Sequence, residues 1–131
     1  MSDVELIEAA RQVQKNAYAP YSNFKIGVAI LGNDSQIYTG VNVESSSYGL
    51  TICAERGAVC KAVAAGCKIF AKIVVYSSCS PPATPCGACR QVLYEFGQDL
   101  QVICVNDHNE IVRYELSQLL PEGFRLKDKQ N

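Results

Sequence analysis

Apolar residues early in the chain recur at helical intervals and then switch to alternation. Leu6, Ile7, Ala10, Val13 and Ala17 predict a helix over residues 3–18. Ser2 and Glu5 have capping-box spacing at its start, and Pro20 ends it. Phe24, Ile26, Val28 and Ile30 alternate with small or polar residues, the mark of a strand covered on at least one face. Gly32, Asn33 and Asp34 supply a turn, and residues 36–43 read as a second strand. So short a connection makes the two an antiparallel hairpin.

Beyond the polar loop 44–49, Thr51 is a candidate N-cap for a second helix that reaches Ala65 and stops at Gly66. Its apolar positions are mostly alanine, with Gly57 among them, so another backbone can approach it closely. It is expected to lie buried between layers or between subunits. Ile73, Val74 and Val75 form the continuous apolar run of a central strand over residues 72–77. Thr84 and Pro85 look like the N-cap and first residue of a third helix, which runs through Phe96 to Gly97 with Cys89, Leu93 and Phe96 on one side. Residues 101–105 and 110–114 are two more strands, antiparallel across the turn 106–109. A short helix over 116–120 precedes Pro121, and the tail 127–131 is expected to fray. This order predicts an α/β protein, a three-layer α/β/α arrangement with a mixed five-stranded sheet, in one domain over residues 1–131.

Composition narrows the function classes. The 131 residues suffice for a core without disulfides, and seven cysteines form an odd set with no framework spacing. With no signal-peptide pattern and no membrane-length apolar run, the reading is a cytoplasmic protein. Twelve Lys and Arg against thirteen Asp and Glu give a net charge of −1, without a basic cluster. That lacks the electrostatic footprint of a nucleic-acid or membrane binder and favours small, nearly neutral substrates.

The candidate chemistry lies in Thr51-Ile-Cys-Ala-Glu55 and Pro85-Cys-Gly-Ala-Cys89. A lone Cys-x-x-Cys fills half a tetrahedral site, but Cys86 and Cys89 together with Cys53 fit a catalytic zinc with three protein ligands and a water in the fourth position. Both cysteine groups fall at expected helix starts, where the helix dipole favours thiolate. Zinc with three thiolates already carries net negative charge, so a cation should sit close by: Arg56 is the nearest, and Arg90 a second candidate. Glu55 is better placed as proton shuttle than as ligand. The bland alternative is a closed zinc knot with a fourth cysteine. Of Cys60, Cys67, Cys79 and Cys104, only Cys79 lies near in sequence, and all four read as core cysteines. His108 reads as a solvated turn residue.

Tyr18-Ala-Pro-Tyr-Ser-Asn-Phe24, Gly40-Val-Asn-Val-Glu44, Thr51-Ile-Cys-Ala-Glu-Arg56, Pro85-Cys-Gly-Ala-Cys-Arg-Gln91 and Leu119-Leu-Pro121 resemble, in order, segments of the small zinc-dependent cytidine deaminases. The resemblance covers nearly the whole chain and implies the branch with three cysteine ligands. Its implied activity is deamination of cytidine and deoxycytidine to the uridines, by zinc-activated hydroxide attack at C4, in pyrimidine salvage. It also implies one Zn²⁺ per subunit and a homotetramer. Asn42 and Glu44 should bind the ribose, Phe24 the pyrimidine ring and the Ala54 backbone the base, while Phe124 should line a neighbouring subunit's pocket. The competing readings are a deaminase of a cytosine-bearing antibiotic such as blasticidin S, polynucleotide editing, and a non-catalytic zinc-thiolate module in which Glu55 has no task.

Overall fold

The computed structural model describes residues 3–129. Among them the order is α1 (Asp3–Gln14), β1 (Gly27–Gly32), β2 (Ile37–Val41), α2 (Ala54–Ala64), β3 (Phe70–Ser77), α3 (Gly87–Tyr94), β4 (Gln101–Asn106), β5 (Ile111–Glu115) and α4 (Leu116–Leu119), with 3-10 turns at Tyr48–Leu50 and Leu126–Lys129. The strands form one mixed sheet in the order β2-β1-β3-β4-β5. β3 and β4 are parallel and the other neighbours antiparallel.

Alternation along β3 sorts the core into two faces. Val74 and Tyr76 meet Leu6 and Ala10 of α1 on one side. Ile73 and Val75 meet Ala58 and Ala62 of α2 and Leu93 of α3 on the other. The close approach expected at Gly57 is made instead by the strand. A Cβ on Gly40 would strike the backbone of Ala54 and Ala58, whereas one on Gly57 would make ordinary contact at 3.6 Å. Gly40 thus lets the start of α2 lie directly on β2, and that positions the site.

Three expectations need correction here. The first helix ends at Gln14 rather than residue 18, because Tyr18 is drawn away to pair with the chain beyond β2: its N–H donates to the Asn42 carbonyl at 3.0 Å and its carbonyl accepts from Glu44 at 2.9 Å. The first strand begins at Gly27, not Phe24, since the Ile26 N–H and the Phe24 carbonyl pair with the Asn42 side chain and not with a neighbouring strand. The tail is ordered further than expected, with a 3-10 turn at Leu126–Lys129 and an Arg125–Asp128 ion pair of 2.6 Å. Ser2, the expected cap of α1, lies outside the described residues, as do positions 130–131 of the tail.

Candidate active site

Two helices start with a cysteine where an oxygen-bearing side chain is the usual choice. Cys53 is the N-cap of α2 (φ −71°, ψ 152°) and Cys86 the N-cap of α3 (φ −67°, ψ 168°), each extended and neither making a side-chain cap bond. Thr51 and Thr84 therefore do not cap these helices, contrary to expectation. Thr51 Oγ1 accepts from the Ser45 N–H at 3.2 Å, and Thr84 Oγ1 accepts from Arg90 at 3.1 Å. The freed sulfurs converge with that of Cys89, one turn into α3, and all three lie within 4.8 Å of one another.

The Cys53 and Cys86 sulfurs are 3.9 Å apart. Tetrahedral zinc with bonds of ~2.3 Å requires sulfurs about 3.8 Å apart, so the donor set fits that ion and leaves one position open. Among the described residues no fourth Cys, His, Asp or Glu joins this cluster. Cys67 and Cys104 are buried in the core as expected, and Cys79 is half-buried, but Cys60 is exposed rather than packed. Burial, and then the charge of Glu55, push the Cys104 thiol up to about 12. His108 is exposed beside Asp107, as a solvated residue should be.

Within the cluster the thiols divide. Burial opposes ionisation of Cys86, but hydrogen bonds from Cys89 and Cys53 outweigh it and lower its pKa. Burial and the Glu55 charge raise that of Cys89. Glu55 itself is 5% exposed. Burial raises its pKa above the usual carboxylate range, against its own backbone N–H and the charge of Arg56. Arg56 Nη2 donates to the Cys53 sulfur at 3.7 Å and to the Thr51 carbonyl at 3.3 Å. The Cys53 bond does most to raise its pKa; burial opposes, and the charges of Cys53 and Cys89 add to the rise.

Arg90, the other candidate cation, is employed differently. It donates to the carbonyls of Pro85 at 2.7 Å and Leu119 at 2.9 Å, and to Thr84. It ties α3 to α4 instead of serving the sulfurs.

A cavity of ≈ 190 Å³ opens beside the cluster, lined by Phe24, Asn42, Ala54, Glu55 and Cys86 among others. A second, of ≈ 430 Å³, is lined by Tyr21, Ser22, Glu44, Tyr48 and Thr51. Thr51 borders both, so the two adjoin. Asn42 and Glu44, both expected at the ribose, are held by different partners. Asn42 is buried, with Oδ1 accepting from Ile26 N–H at 2.9 Å and Nδ2 donating to the Phe24 carbonyl at 2.7 Å. Glu44 accepts from the backbone N–H groups of Tyr21 and Ser22 and from the Ser22 hydroxyl. Phe24 stays 42% exposed at the cavity mouth. Phe124 is exposed too, its carbonyl accepting from Gln91 Nε2 at 2.8 Å. Sequence reasoning passed over Tyr21 and Ser22 as individual residues and read Thr51 only as a helix cap, although all three fall inside the motif segments.

Residues 1–105 match the model of the cytidine and deoxycytidylate deaminase zinc-binding region, which places the protein among the zinc deaminases. It is 50% identical over 123 residues to a probable cytidine deaminase of Dictyostelium discoideum, covering 93% of this chain and 83% of that one. With a cytidine deaminase of Halalkalibacterium halodurans it shares 42% over 124 residues, 94% of either chain. The crystal structure of cytidine deaminase from Burkholderia pseudomallei superposes with a TM-score of 0.92 at 46% identity, covering 95% of this chain and all of that one. The chain belongs to the cytidine deaminase family.

Proposed function

We propose that this protein hydrolytically deaminates cytidine and deoxycytidine to the corresponding uridines, releasing ammonia. One observation carries the reading: a carboxyl buried at the wall of a cavity, beside three converging sulfurs that leave a tetrahedral position unfilled. A structural zinc knot gives Glu55 no task and calls for a fourth ligand.

Cys53, Cys86 and Cys89 would hold the zinc, one ion per subunit. When bound there, it supplies the Lewis acidity that makes water nucleophilic near neutral pH. Glu55 takes one proton from the water that adds to the amine-bearing carbon and passes it to the ring nitrogen, then takes the remaining proton of the added hydroxyl and delivers it to the amine, which departs as ammonia while the carbonyl forms. Its raised pKa suits a group that must both accept and return a proton. Ala54 is the first residue of α2, so its N–H has no acceptor within the helix and is free for the base. Phe24 packs on the ring. Asn42 holds Phe24 in place and keeps one amide hydrogen for a sugar hydroxyl.

The larger cavity sets the substrate class. The Ser22 hydroxyl does most to hold Glu44 ionised, with burial opposing and the Ser22 and Tyr21 N–H groups assisting. No Lys or Arg is among the described residues that line it. Such a site accepts sugar hydroxyls and repels phosphate, which favours a nucleoside over a nucleotide. The same hydroxyl-binding groups favour cytidine over blasticidin S. Exposed Tyr48, Leu50 and Phe124 support a homotetramer in which Phe124 reaches a neighbour's pocket. A cytoplasmic role in pyrimidine salvage accords with the absence, among the described residues, of any helix long and apolar enough to cross a membrane.

Purified protein should convert cytidine with an ultraviolet change and stoichiometric ammonia, lose activity on zinc stripping and regain it on restoration. Deoxycytidylate and blasticidin S should be poor substrates. Preference for either would reassign the larger cavity, and failure to deaminate any cytosine compound would remove the reading.

A further inference from the structure

The loop from β3 to α3 ends at Cys86 and supplies Ala83 and Thr84 to the wall of the smaller cavity. Irregular backbone of this length needs outside hydrogen-bond partners to keep one shape. They come from beneath it. Ser77 at the end of β3 and Asn106 at the end of β4 are register partners of the parallel pair, 0% and 1% exposed. Ser77 Oγ accepts from the N–H of Cys79 at 3.4 Å and of Ala83 at 3.2 Å. Asn106 Nδ2 donates to the Cys79 carbonyl and to Glu110 Oε1, both at 2.8 Å. Its Oδ1 accepts from the N–H groups of His108 and Glu110, both at 3.0 Å. Glu110 Oε1 also accepts from the Ser80 hydroxyl at 2.7 Å.

Asn106 therefore uses its full complement of donors and acceptors, one half on the β4–β5 turn and the other on the cavity loop and its Glu110 anchor. A buried amide costs desolvation that an apolar side chain would avoid, so its net contribution to stability is small. Its contribution to shape is not, because it holds the Cys79 carbonyl while its register partner Ser77 holds the N–H groups of Cys79 and of Ala83, a residue of the cavity wall.

We propose that Asn106, with Ser77 and Glu110, is a positioning residue for the reaction: it fixes the loop so that Ala83 and Thr84 meet the base and Cys86 meets Cys53 and Cys89. This rests on the deaminase reading. It differs from a general structural role in what it should move.

Asn106→Asp keeps both acceptor bonds to the turn but sets a carboxylate oxygen against the Cys79 carbonyl and the Glu110 carboxylate. In the zinc enzyme it should raise KM for cytidine about tenfold with kcat much less affected. Zinc transfer to a chelator, followed with a coloured metal indicator, should accelerate about tenfold. Amide exchange at Cys79 and Ala83 should rise with it. Ser80→Ala, at an exposed position that will fold in any case, should shift all three readouts the same way by about twofold to threefold. Asp3→Asn, at the other face of the sheet, is the control: it should lower Tm and leave KM, zinc transfer and exchange alone.

Wild-type readouts in both Asn106→Asp and Ser80→Ala would overturn the proposal, and so would equal shifts in Asp3→Asn. Should Asn106→Asp not fold, Ser80→Ala decides. A wild-type protein that fails to deaminate cytidine would instead overturn the underlying reading, while zinc transfer and exchange would still decide the role of the loop.

Discussion

The two junctions that supply the sulfurs are built alike and surrounded differently. Each opens with an uncapped cysteine at a helix start, and each has an arginine within a few residues. At the α2 junction Arg56 turns back onto the Cys53 sulfur, and Glu55 lies buried beside it. At the α3 junction Arg90 turns away, onto the Pro85 and Leu119 carbonyls. On the proposed reading the first junction carries the chemistry, while the second carries two of the three sulfurs and the framework that holds them. A cation's place beside a ligand does not settle its role. What settles it is which acceptors the surrounding chain leaves in reach: α4 brings Leu119 to Arg90, whereas Arg56 finds a sulfur.

The largest effect should follow from removing the proton carrier. Glu55→Gln should keep stoichiometric zinc by metal analysis and lose about 10³-fold in kcat. Substantial turnover in the zinc-loaded variant would take the chemistry away from the α2 junction. The arginines come next and should part company. Arg56→Ala should lower kcat/KM about 10- to 100-fold, with a shift in denaturant midpoint worth about 1 kcal/mol or less. Arg90→Ala leaves carbonyls and a hydroxyl without their charged donor. It should cost about 2–3 kcal/mol of stability and keep kcat within a few-fold of wild type in the folded protein. Equal activity losses in the two variants would erase the distinction between the junctions.

Much of this was legible beforehand because it follows from spacing. Period-2 and period-3.6 patterns located the sheet and its helices, and Cys-x-Glu with Pro-Cys-x-x-Cys located the sulfurs and the carboxyl. The errors cluster where a residue departs from its usual job. Thr51 and Thr84 were expected as caps because hydroxyls favour that position, but Cys53 and Cys86 themselves occupy it. Asn42 was expected at the sugar, and its spacing gave no sign of its second task, pairing the Ile26 N–H and the Phe24 carbonyl. Arg90 could not be told from Arg56 by proximity alone, since its partner Leu119 is 29 residues away. Ser77 and Asn106 left one faint signal: each is the polar residue that ends an apolar run, and the two runs proved to be neighbouring parallel strands.

The smallest effect should come from the face of the sheet that lies away from both junctions. Asp3 accepts from Lys72 at 2.8 Å and Arg113 at 3.2 Å, tying α1 to β3 and β5. The Lys72 bond does most to lower its pKa; burial opposes, and Arg113 assists. A carboxylate whose folded pKa is depressed stabilises above its unfolded value, here near 3.8, and that stabilisation fades as pH falls through the folded value. Asp3→Asn should therefore lower Tm at pH 7 by the equivalent of about 0.5–1 kcal/mol. The gap from wild type should narrow below pH 4, as scanning calorimetry across pH would register. At pH 7 its kcat/KM should match wild type, because α1 packs on Val74 and Tyr76 while α2 and α3 pack on Ile73 and Val75 of the same strand. A fall in kcat/KM there would mean that β3 transmits strain between its two faces, and the division of labour between the junctions would then extend through the sheet to α1.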